Sequence, residues 1–370
     1  MGERALGMAV VRITIPSKSN LPDLWNEVKP LFPMKEPRPL QGESLSVVKW
    51  AIDNDKFDNI VIQAPTGIGK SAIAMTIQAM HSNAYLLTPS LGLTEQYKHD
   101  YGSKLSEVRG RSNFECWART GTADGAPCYQ GKRVCKHTKE DDPCPYYAQK
   151  FAARQHRLTL SNPSYLFRVA QGDDLFQRRS LLMVDEAHKL EGFFMDLLEV
   201  KITHEDWILA FGGNVPMPHH YHPKDWLPDI KAMKVGCEKA LDSMPPDDPT
   251  FDDDREVINK LQGKCDDLIR LLTMPNNVVT EIKPNLAIFK PVRVGPWIPR
   301  FMDRLGQQRL FLSATILDVD TFLSSLGLEN QRTLYVNVTD SPFPAENTKI
   351  TMPLVDRCHG AKGSIQSQSR

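Results

Sequence analysis

The stretch Gln63-Ala-Pro-Thr-Gly-Ile-Gly-Lys70-Ser71 decides how this sequence folds. It follows the apolar run Asn59-Ile-Val-Ile62 and leads into Ser71-Ala-Ile-Ala-Met-Thr-Ile-Gln78, whose apolar spacing predicts a helix. A strand, a glycine-containing loop and a helix in this order form the setting of a phosphate-binding loop. The loop departs from the usual pattern at Ala64, where a glycine is common. The sequence therefore predicts an α/β fold with a parallel sheet, of the P-loop NTPase kind.

The residue types in this loop suit a nucleoside triphosphate. Gly67 and Gly69 allow the backbone, including Thr66, to wrap a phosphate with its N–H groups aimed at the oxygens. Lys70 brings a mobile positive charge to the β- and γ-phosphates, and the Ser71 hydroxyl can hold Mg²⁺. We therefore expect ATP and Mg²⁺ as ligands of this loop.

A second motif, Asp185-Glu186-Ala187-His188, follows the apolar run Leu181-Leu-Met-Val184. Such a run predicts a buried strand that delivers both carboxylates to the carboxyl edge of the sheet. We expect Asp185 to complete the protein's contacts with Mg²⁺ and Glu186 to orient the attacking water. His188 is expected to sense the γ-phosphate. The predicted catalytic residues are thus Lys70, Asp185, Glu186 and His188.

Length and charge limit the classes of function. A chain of 370 residues, 41% of them hydrophobic, can bury a sizeable core, and we expect two or three units. The formal net charge is zero, so any surface that attracts nucleic acid must be local. No run of about twenty apolar residues and no signal-peptide pattern is present. These features predict an intracellular protein, cytoplasmic or in the nucleoid or nucleus, without a membrane partner.

Four of the seven cysteines, Cys116, Cys128, Cys135 and Cys144, fall in one segment between the two motifs. The segment is rich in Gly, Pro, Lys and Arg and has little periodicity, so a cross-link must order it. Eleven, six and eight residues separate the cysteines, whereas zinc ribbons usually contain close Cys-x-x-Cys pairs. Spacing alone leaves zinc and an iron–sulfur cluster equally open, and four unrelated thiols are the remaining interpretation.

The same segment is locally basic. Between Lys98 and Arg157 there are twelve Lys or Arg and seven Asp or Glu. Five aromatic residues lie among them, namely Phe114, Trp117, Tyr129, Tyr146 and Tyr147. A basic wall with stacking faces suits single-stranded nucleic acid. The alternative is a solvated surface over a small metal-held core, on which some of the tyrosines pack.

The order of phosphate loop, four cysteines, DEAH, a long insertion and Phe311-Leu-Ser313-Ala314-Thr315 resembles the iron–sulfur superfamily 2 DNA helicases of the XPD/DinG group. In that family the cysteines bind a [4Fe–4S] cluster between motifs I and II. An arch domain interrupts the first, RecA-like motor domain between motifs II and III. The resemblance, which covers roughly Arg38 to Thr315, implies ATP-driven 5′→3′ translocation on single-stranded or forked DNA. It also favours a [4Fe–4S] cluster on the four cysteines.

Three further segments carry the resemblance. Pro37-Arg38-Pro-Leu-Gln41 resembles an Arg-x-x-Gln element that lies near the nucleotide base. Leu86-Leu-Thr88-Pro-Ser, followed by Gln96, resembles motif Ia, which touches the DNA backbone. Leu160-Ser-Asn162-Pro-Ser-Tyr165-Leu resembles the segment that precedes DEAH.

The Ser-Ala-Thr motif also follows from the residues themselves. It ends the apolar run Arg309-Leu-Phe-Leu312, so Ser313 and Thr315 are expected at a strand tip. Their hydroxyls can link the DEAH carboxylates to a DNA-binding surface through hydrogen bonds. Standing alone, the motif would be interpreted more simply as the end of a strand in an α/β sheet.

The 124 residues between His188 and Ser313 contain no nucleotide motif. Helix-like apolar spacing at 193–198, 256–261 and 267–272 predicts a mostly helical insertion, which the resemblance makes the arch. The run Pro245–Asp254 predicts an exposed acidic turn that is solvated, since it would repel DNA.

The two ends of the sequence are less informative. Met8–Ile15 predicts a strand, and Thr333–Val338 predicts a last one. Asp340-Ser-Pro-Phe343 resembles the junction that enters a second motor domain. Only 55 residues follow Thr315, so we expect motifs IV to VI and their arginines to come from elsewhere, such as a second polypeptide.

These features predict seven segments, which are an N-terminal extension at 1–36, the first part of motor domain 1 at 37–100, the four-cysteine insertion at 101–157, the DEAH part at 158–190, the arch-like insertion at 191–300, the end of the motor domain with its junction at 301–345 and a disordered tail at 346–370. The predicted function is the ATP-binding half of a DNA helicase, weakly active or inactive by itself. One alternative is a non-catalytic ATP- and DNA-binding regulatory module. Another is a zinc-stabilised nucleotide-binding protein unrelated to DNA.

Overall fold

The computed structural model describes residues 10–16, 21–118, 120–126, 128, 135–169, 175–213, 215–245, 249–274 and 277–340. The predicted tail at 346–370, and the predicted junction beyond Asp340, lie outside these ranges. No helix within them is long and apolar enough to cross a membrane.

Eight strands form one fully parallel sheet. They are β1 (Val10–Ile15), β2 (Asn59–Gln63), β3 (Ala84–Leu87), β4 (Ser106–Val108), β5 (Leu158–Ser161), β6 (Arg179–Val184), β10 (Gly306–Ser313) and β11 (Thr333–Val338). Their order across the sheet is β1-β11-β2-β10-β6-β3-β5-β4. The predicted parallel α/β sheet is therefore confirmed. The first and last strands along the chain, β1 and β11, pair with each other at one edge of the sheet.

Twelve helices are described. They are α1 (Trp25–Val28), α2 (Gln41–Asp53), α3 (Lys70–Ala79), α4 (Leu91–Tyr101), α5 (Pro145–Gln155), α6 (Pro163–Val169), α7 (Leu190–Leu198), α8 (His204–Phe211), α9 (Trp226–Ser243), α10 (Asp252–Leu272), α11 (Ile298–Leu305) and α12 (Val319–Ser325).

The central strands are apolar throughout because both faces of the sheet are covered. Successive side chains point to opposite faces. Ile60 and Ile62 of β2 therefore pack into one core with α2 and α3. Val61 joins the other core, which contains residues of α6, α7, α11 and α12. This two-sided burial explains the continuous apolar runs that precede the phosphate loop and DEAH.

Two buried arginines form hydrogen bonds near the amino edge of the sheet. Arg179 at the start of β6 donates to the carbonyl oxygens of Ala84 (2.8 Å) and Ala153 (2.6 Å). Arg309 of β10 donates to Asn59 Oδ1 (2.9 Å) and forms an ion pair with Asp303. A buried guanidinium is tolerated when acceptors surround it, as they do at Arg179, whereas Nε of Arg309 has no hydrogen-bond partner among the described residues.

The residues between α7 and α11 form a unit with its own core, centred on the fully buried Trp226 and Phe289. Helices α8, α9 and α10 pack there with an antiparallel sheet of β7 (Val200–Thr203), β8 (Val278–Lys283) and β9 (Leu286–Pro291) in the order β7-β9-β8. The expectation of a mostly helical insertion did not include this sheet. Its sequence signal is the alternation along β8, followed by Asn285 in a left-handed turn (φ 61°).

The acidic segment in this unit also differs from its prediction. Helix α10 begins at Asp252, so the end of the predicted turn is the first helical turn. The two predicted helical segments at 256–261 and 267–272 belong to this one helix. Aspartates are favourable at a helix N-terminus, where they face the positive end of the helix dipole.

Gly236 of α9 offers a test of packing in this unit. A Cβ at this position would overlap the carbonyl oxygen of Ala210 at the α8–α9 contact. We expect Gly236→Ala to lower the free energy of unfolding by about 2 kcal/mol, because backbone cannot yield as a flexible side chain can.

Gly263 of α10 supplies the matched control, since a Cβ there meets nothing within 4 Å. Gly263→Ala should leave stability unchanged or raise it by up to ~1 kcal/mol through helix propensity. Urea unfolding followed by tryptophan fluorescence measures both variants. Equal stabilities would contradict the close approach at Gly236.

Candidate functional site

The sequence motifs converge because the central strands end in register. Gln63 at the end of β2 pairs with Ser313 at the end of β10. Leu87 at the end of β3 pairs with Val184 of β6 and Ser161 of β5. The strands are parallel, so the loops that follow them meet at one carboxyl edge.

The phosphate loop runs between β2 and α3. Gly67 (φ 83°) and Gly69 (φ 86°) adopt left-handed backbone that favours glycine. Ala64 is not among the residues of positive φ, is fully buried and donates its N–H to the Ser313 carbonyl oxygen at 2.9 Å. An alanine therefore fits where the family pattern has glycine.

Helix α3 begins at Lys70, so its first N–H groups face the loop. The Lys70 ammonium lies 3.2 Å from the carbonyl oxygen of Ala64 and 3.5 Å from that of Pro65. Thr66 is exposed at the tip of the loop, and Ser71 is partly buried in the first turn of the helix. A phosphate held by these N–H groups would meet both the ammonium and the serine hydroxyl.

Arg38 and Gln41 brace the phosphate loop by donating hydrogen bonds to its backbone carbonyl oxygens. The Arg38 guanidinium donates to the Gly67 carbonyl oxygen, and the Arg38 N–H donates to Gln41 Oε1 at 2.7 Å. The buried Gln41 amide donates to the Ile68 carbonyl oxygen at 2.7 Å. The resemblance implies a place near the nucleotide base for these residues. The structure shows them in contact with the loop backbone.

Asp185 is only 4% exposed, and burial raises the pKa of its carboxyl group. Tyr97 of α4 donates its hydroxyl to Asp185 Oδ2 at 3.0 Å, and the Glu186 N–H donates to Oδ1 at 2.9 Å. These donors and the positive charge of Lys70 lower the pKa, opposing the effect of burial. Both carboxylate oxygens are thus held in place.

Glu186, His188 and Ser313 form a polar link between motifs II and III. Glu186 adopts a left-handed backbone (φ 51°). His188 Nδ1 lies 3.3 Å from Glu186 Oε2 and 2.9 Å from Ser313 Oγ. The Thr315 N–H donates to the same Ser313 oxygen at 3.1 Å. A movement of Glu186 can therefore change the hydrogen bonds of the loop that contains Ser313 and Thr315.

The residues expected on the nucleic-acid side differ in exposure. Gln96, Asn162 and Thr315 are exposed. Asn162 and Thr315 closely follow the ends of β5 and β10, whereas Gln96 lies within α4. Asn162 also caps α6, because its Oδ1 accepts from the Tyr165 N–H at 2.8 Å. Thr88 is fully buried and lies 2.7 Å, oxygen to oxygen, from the Thr94 hydroxyl, so its side chain supports α4.

Sequence reasoning missed Gln63, Tyr97 and Tyr101. Gln63 Oε1 accepts from the Ile316 N–H (2.9 Å) and the Tyr335 hydroxyl (3.0 Å), which ties the loop to motif III. The Tyr101 hydroxyl is buried beside Ser71 and has no hydrogen-bond partner among the described residues. Gln63 adjoins the loop in sequence, and Tyr97 follows Gln96; only the fold shows what they contact.

The four cysteines lie in a segment of short turns between β4 and α5. Arg111 Nη1 donates to Cys128 Sγ at 3.4 Å. The Cys144 N–H donates to the His137 carbonyl oxygen at 3.1 Å, and the His137 ring lies 5.3 Å from that of Trp117, centroid to centroid. These contacts join the segments that carry all four cysteines. Residues 119, 127 and 129–134, including Tyr129, lie outside the described ranges.

The four thiols are free of disulfides. Among the described residues, no group of three or more His, Cys, Asp or Glu side chains is placed to hold a metal ion. The described residues therefore do not show the predicted metal centre.

The aromatic residues of this segment divide into two groups. Tyr146 is buried, and its hydroxyl oxygen lies 3.0 Å from that of Tyr165. The Arg111 guanidinium stacks over the Tyr146 ring at 4.2 Å. Tyr146 therefore belongs to the core on one face of the sheet. Trp117 is 53% exposed.

Comparison with known proteins gives one family match. The model of the type III restriction enzyme res subunit matches residues 34–210, which include the phosphate loop and DEAH. No curated protein matches the sequence.

Solved structures match over most of the chain. An XPD helicase matches at 14% identity and TM-score 0.55, covering 82% of this chain and 63% of that one. A truncated XPD matches at 14% identity and TM-score 0.52, covering 80% of this chain and 98% of that one. The chain therefore shares its fold with the matched part of XPD helicases. The expected resemblance and the RecA-like fold are confirmed, while the chain spans less than two thirds of the XPD helicase.

The hydrogen bond from Gln41 to the phosphate loop leads to a prediction. Gln41→Ala leaves the buried Ile68 carbonyl without its donor, which should cost about 1–3 kcal/mol of stability. The loop should then bind a fluorescent ATP analogue several-fold more weakly. Ser46→Ala is the control, because this buried α2 hydroxyl bonds only its own helix, at Gly42. Equal nucleotide affinities in both variants would show that Gln41 does not brace the loop.

Proposed function

We propose that this chain is the ATP-binding motor domain of a DNA helicase that binds ATP with Mg²⁺ and single-stranded or forked DNA. The observation that carries the proposal is a path of polar contacts from Glu186 through His188 to Ser313, in which His188 Nδ1 lies 3.3 Å from Glu186 Oε2 and 2.9 Å from Ser313 Oγ. It starts beside the phosphate loop and ends at the loop after β10. A site built only to bind a nucleotide has no need for such a path.

The residues present fit Mg²⁺. Ser71 and Asp185 would hold it, as hydroxyl and carboxylate oxygens are ligands that Mg²⁺ accepts. The buried Tyr101 hydroxyl beside Ser71 has no partner among the described residues, as expected where a hydrated ion or a phosphate is still to bind. When bound, Mg²⁺ neutralises phosphate charge, while Lys70 contributes a second positive charge.

Glu186 is the proposed group that orients water for attack on the γ-phosphate. Its left-handed backbone is sparsely populated by non-glycine residues, and such conformations are concentrated at functional sites. His188 links Glu186 to Ser313, so loss of the γ-phosphate can be transmitted to the motif III loop.

Exposed side chains at the carboxyl edge are the proposed contacts with DNA. Gln96, Asn162 and Thr315 are polar and solvent-accessible, and Asn162 and Thr315 closely follow the ends of β5 and β10. They suit hydrogen bonds to phosphates and sugars, which position a strand without reading its sequence. The 5′→3′ direction of movement is proposed from the family resemblance alone.

A [4Fe–4S] cluster on Cys116, Cys128, Cys135 and Cys144 is the proposed cross-link of the insertion. The segment has only short turns, and contacts through Arg111 and His137 bring the cysteine-bearing pieces into one module. A thiolate-bound cluster would supply the ordering that so little regular structure cannot.

The unit between α7 and α11 is the proposed arch. A second RecA-like domain, carried by this polypeptide or another, is proposed to close over the nucleotide and supply arginines to the phosphates. Glu186 and His188 are partly exposed, with side-chain exposures of 24% and 34%, and so remain accessible from that side.

Lys70→Ala tests the nucleotide site. Removing the ammonium should weaken binding of a fluorescent ATP analogue roughly 10- to 100-fold, the range for a lost hydrogen bond to a charged group. Affinity for single-stranded DNA without nucleotide should not change, since Lys70 faces the loop. Lys49→Ala, which removes a surface ion pair with Asp53, is the control.

Unchanged affinity of Lys70→Ala for the analogue would refute the assignment of the loop. Binding of both ligands by the wild type, without ATP turnover even when a second motor domain is supplied, would point instead to a non-catalytic regulatory module.

Cys135→Ser tests the cluster. Protein purified without oxygen should contain about four irons per chain and absorb near roughly 400 nm. The variant should lose iron, and proteases should cut it within 101–157. Cys237→Ser is the control, because this buried thiol lies in the separate core of α9 and α10. A variant with a full complement of iron would show that Cys135 is not a ligand.

A further inference from the structure

Tyr97 is a buried tyrosine whose hydrogen bond goes to a carboxylate of the nucleotide site. It is 1% exposed, and its hydroxyl donates to Asp185 Oδ2 at 3.0 Å. The Glu186 N–H holds the other oxygen at 2.9 Å. One donor comes from the DEAH loop itself and the other from α4, a separate element. The orientation of the carboxylate therefore depends on where α4 lies.

Helix α4 is anchored at the end of β3. Ser90 caps it by accepting from the Leu93 N–H at 3.3 Å, and Thr88 is paired with Thr94 at 2.7 Å. Tyr101 lies one helical turn after Tyr97, and the centroids of the two rings are 6.1 Å apart. The helix thus presents two tyrosines to the nucleotide site.

These two hydroxyls reach the two predicted protein ligands of Mg²⁺. Tyr97 contacts Asp185, and Tyr101 lies beside Ser71. Gln96, adjacent to Tyr97 in sequence, is exposed on the same helix. A buried phenol that only filled the core could bond any nearby carbonyl group. Here the helix that carries the expected DNA contact touches both sides of the ion site.

We infer that Tyr97 is a positioning residue that orients Asp185 for Mg²⁺ and so sets the Mg²⁺ concentration that nucleotide binding requires. The inference rests on the proposed ATP-binding function and adds a residue to it. Hydrogen bonds to charged groups in buried sites are strong and directional. Without the phenol, the carboxylate would lose one of its two donors and could rotate away from the ion.

The test is a Mg²⁺ titration of Tyr97→Phe in the presence of a fluorescent, non-hydrolysable ATP analogue. The half-saturating Mg²⁺ concentration should rise about tenfold, as expected for one lost hydrogen bond to a carboxylate. Affinity for the analogue in EDTA should stay within about twofold of wild type, because the ring still fills the core.

Tyr85→Phe is the matched control. Tyr85 is also 1% exposed, and its hydroxyl donates at 2.9 Å to a backbone carbonyl, that of Gln177, away from the nucleotide site. Its Mg²⁺ half-saturation should match wild type. An equal rise in both tyrosine variants would mean general loosening of the core and would overturn the inference. So would a Tyr97→Phe variant with wild-type Mg²⁺ dependence.

A double-mutant cycle with Asp185→Asn separates the specific contact from any effect on folding. In the Asp185→Asn background, Tyr97→Phe should add no further change in Mg²⁺ half-saturation. An additional tenfold change would show that Tyr97 acts through another group and would overturn the inference. Failure of the wild type to bind the analogue at any Mg²⁺ concentration would instead overturn the proposed function, and this inference with it.

Discussion

The common register of the parallel strands is the constraint on which the rest of the structure depends. The pairing of Gln63 with Ser313, and of Leu87 with Val184, brings four loops to one edge. A slip of one residue would turn every side chain on a strand to the opposite face, so burial on both faces enforces this register. The hydrogen bond from Ala64 to Ser313 continues the pairing into the phosphate loop. The geometry of the site is thus an extension of the geometry of the sheet.

The charged groups of the site are kept in place by donors and acceptors that come from different elements. Asp185 is buried and receives hydrogen bonds from Tyr97 and from the Glu186 N–H. A buried carboxylate without such partners would be neutral, and so a poor ligand for a cation. Lys70 lies over backbone carbonyl groups at distances of 3.2 and 3.5 Å. These contacts fix the orientation of both charged groups.

The four-cysteine segment and the unit between α7 and α11 do not interrupt this arrangement, because both lie in connections between strands of the sheet. The four-cysteine segment lies between β4 and α5, and the second unit lies between α7 and α11. The second unit has a separate core around Trp226 and Phe289. Its helices carry helical periodicity in sequence. Its sheet was missed although β8 alternates and Asn285 marks a turn, because strands this short resemble the ends of neighbouring helices.

The sequence by itself determined the parallel α/β fold, the phosphate loop, the DEAH strand and the order of the motifs, since each depends on local spacing of apolar residues, glycines and charges. Only the tertiary structure showed that Gln41 braces the loop and that Tyr97 holds Asp185. These contacts join residues 27 and 88 positions apart, and no local pattern specifies which distant partner a buried polar group will meet. Tertiary packing also decided that Thr88, directly after β3, is buried and that Gln96 of α4 is exposed, because distant elements packed against these segments determine which side chains are covered.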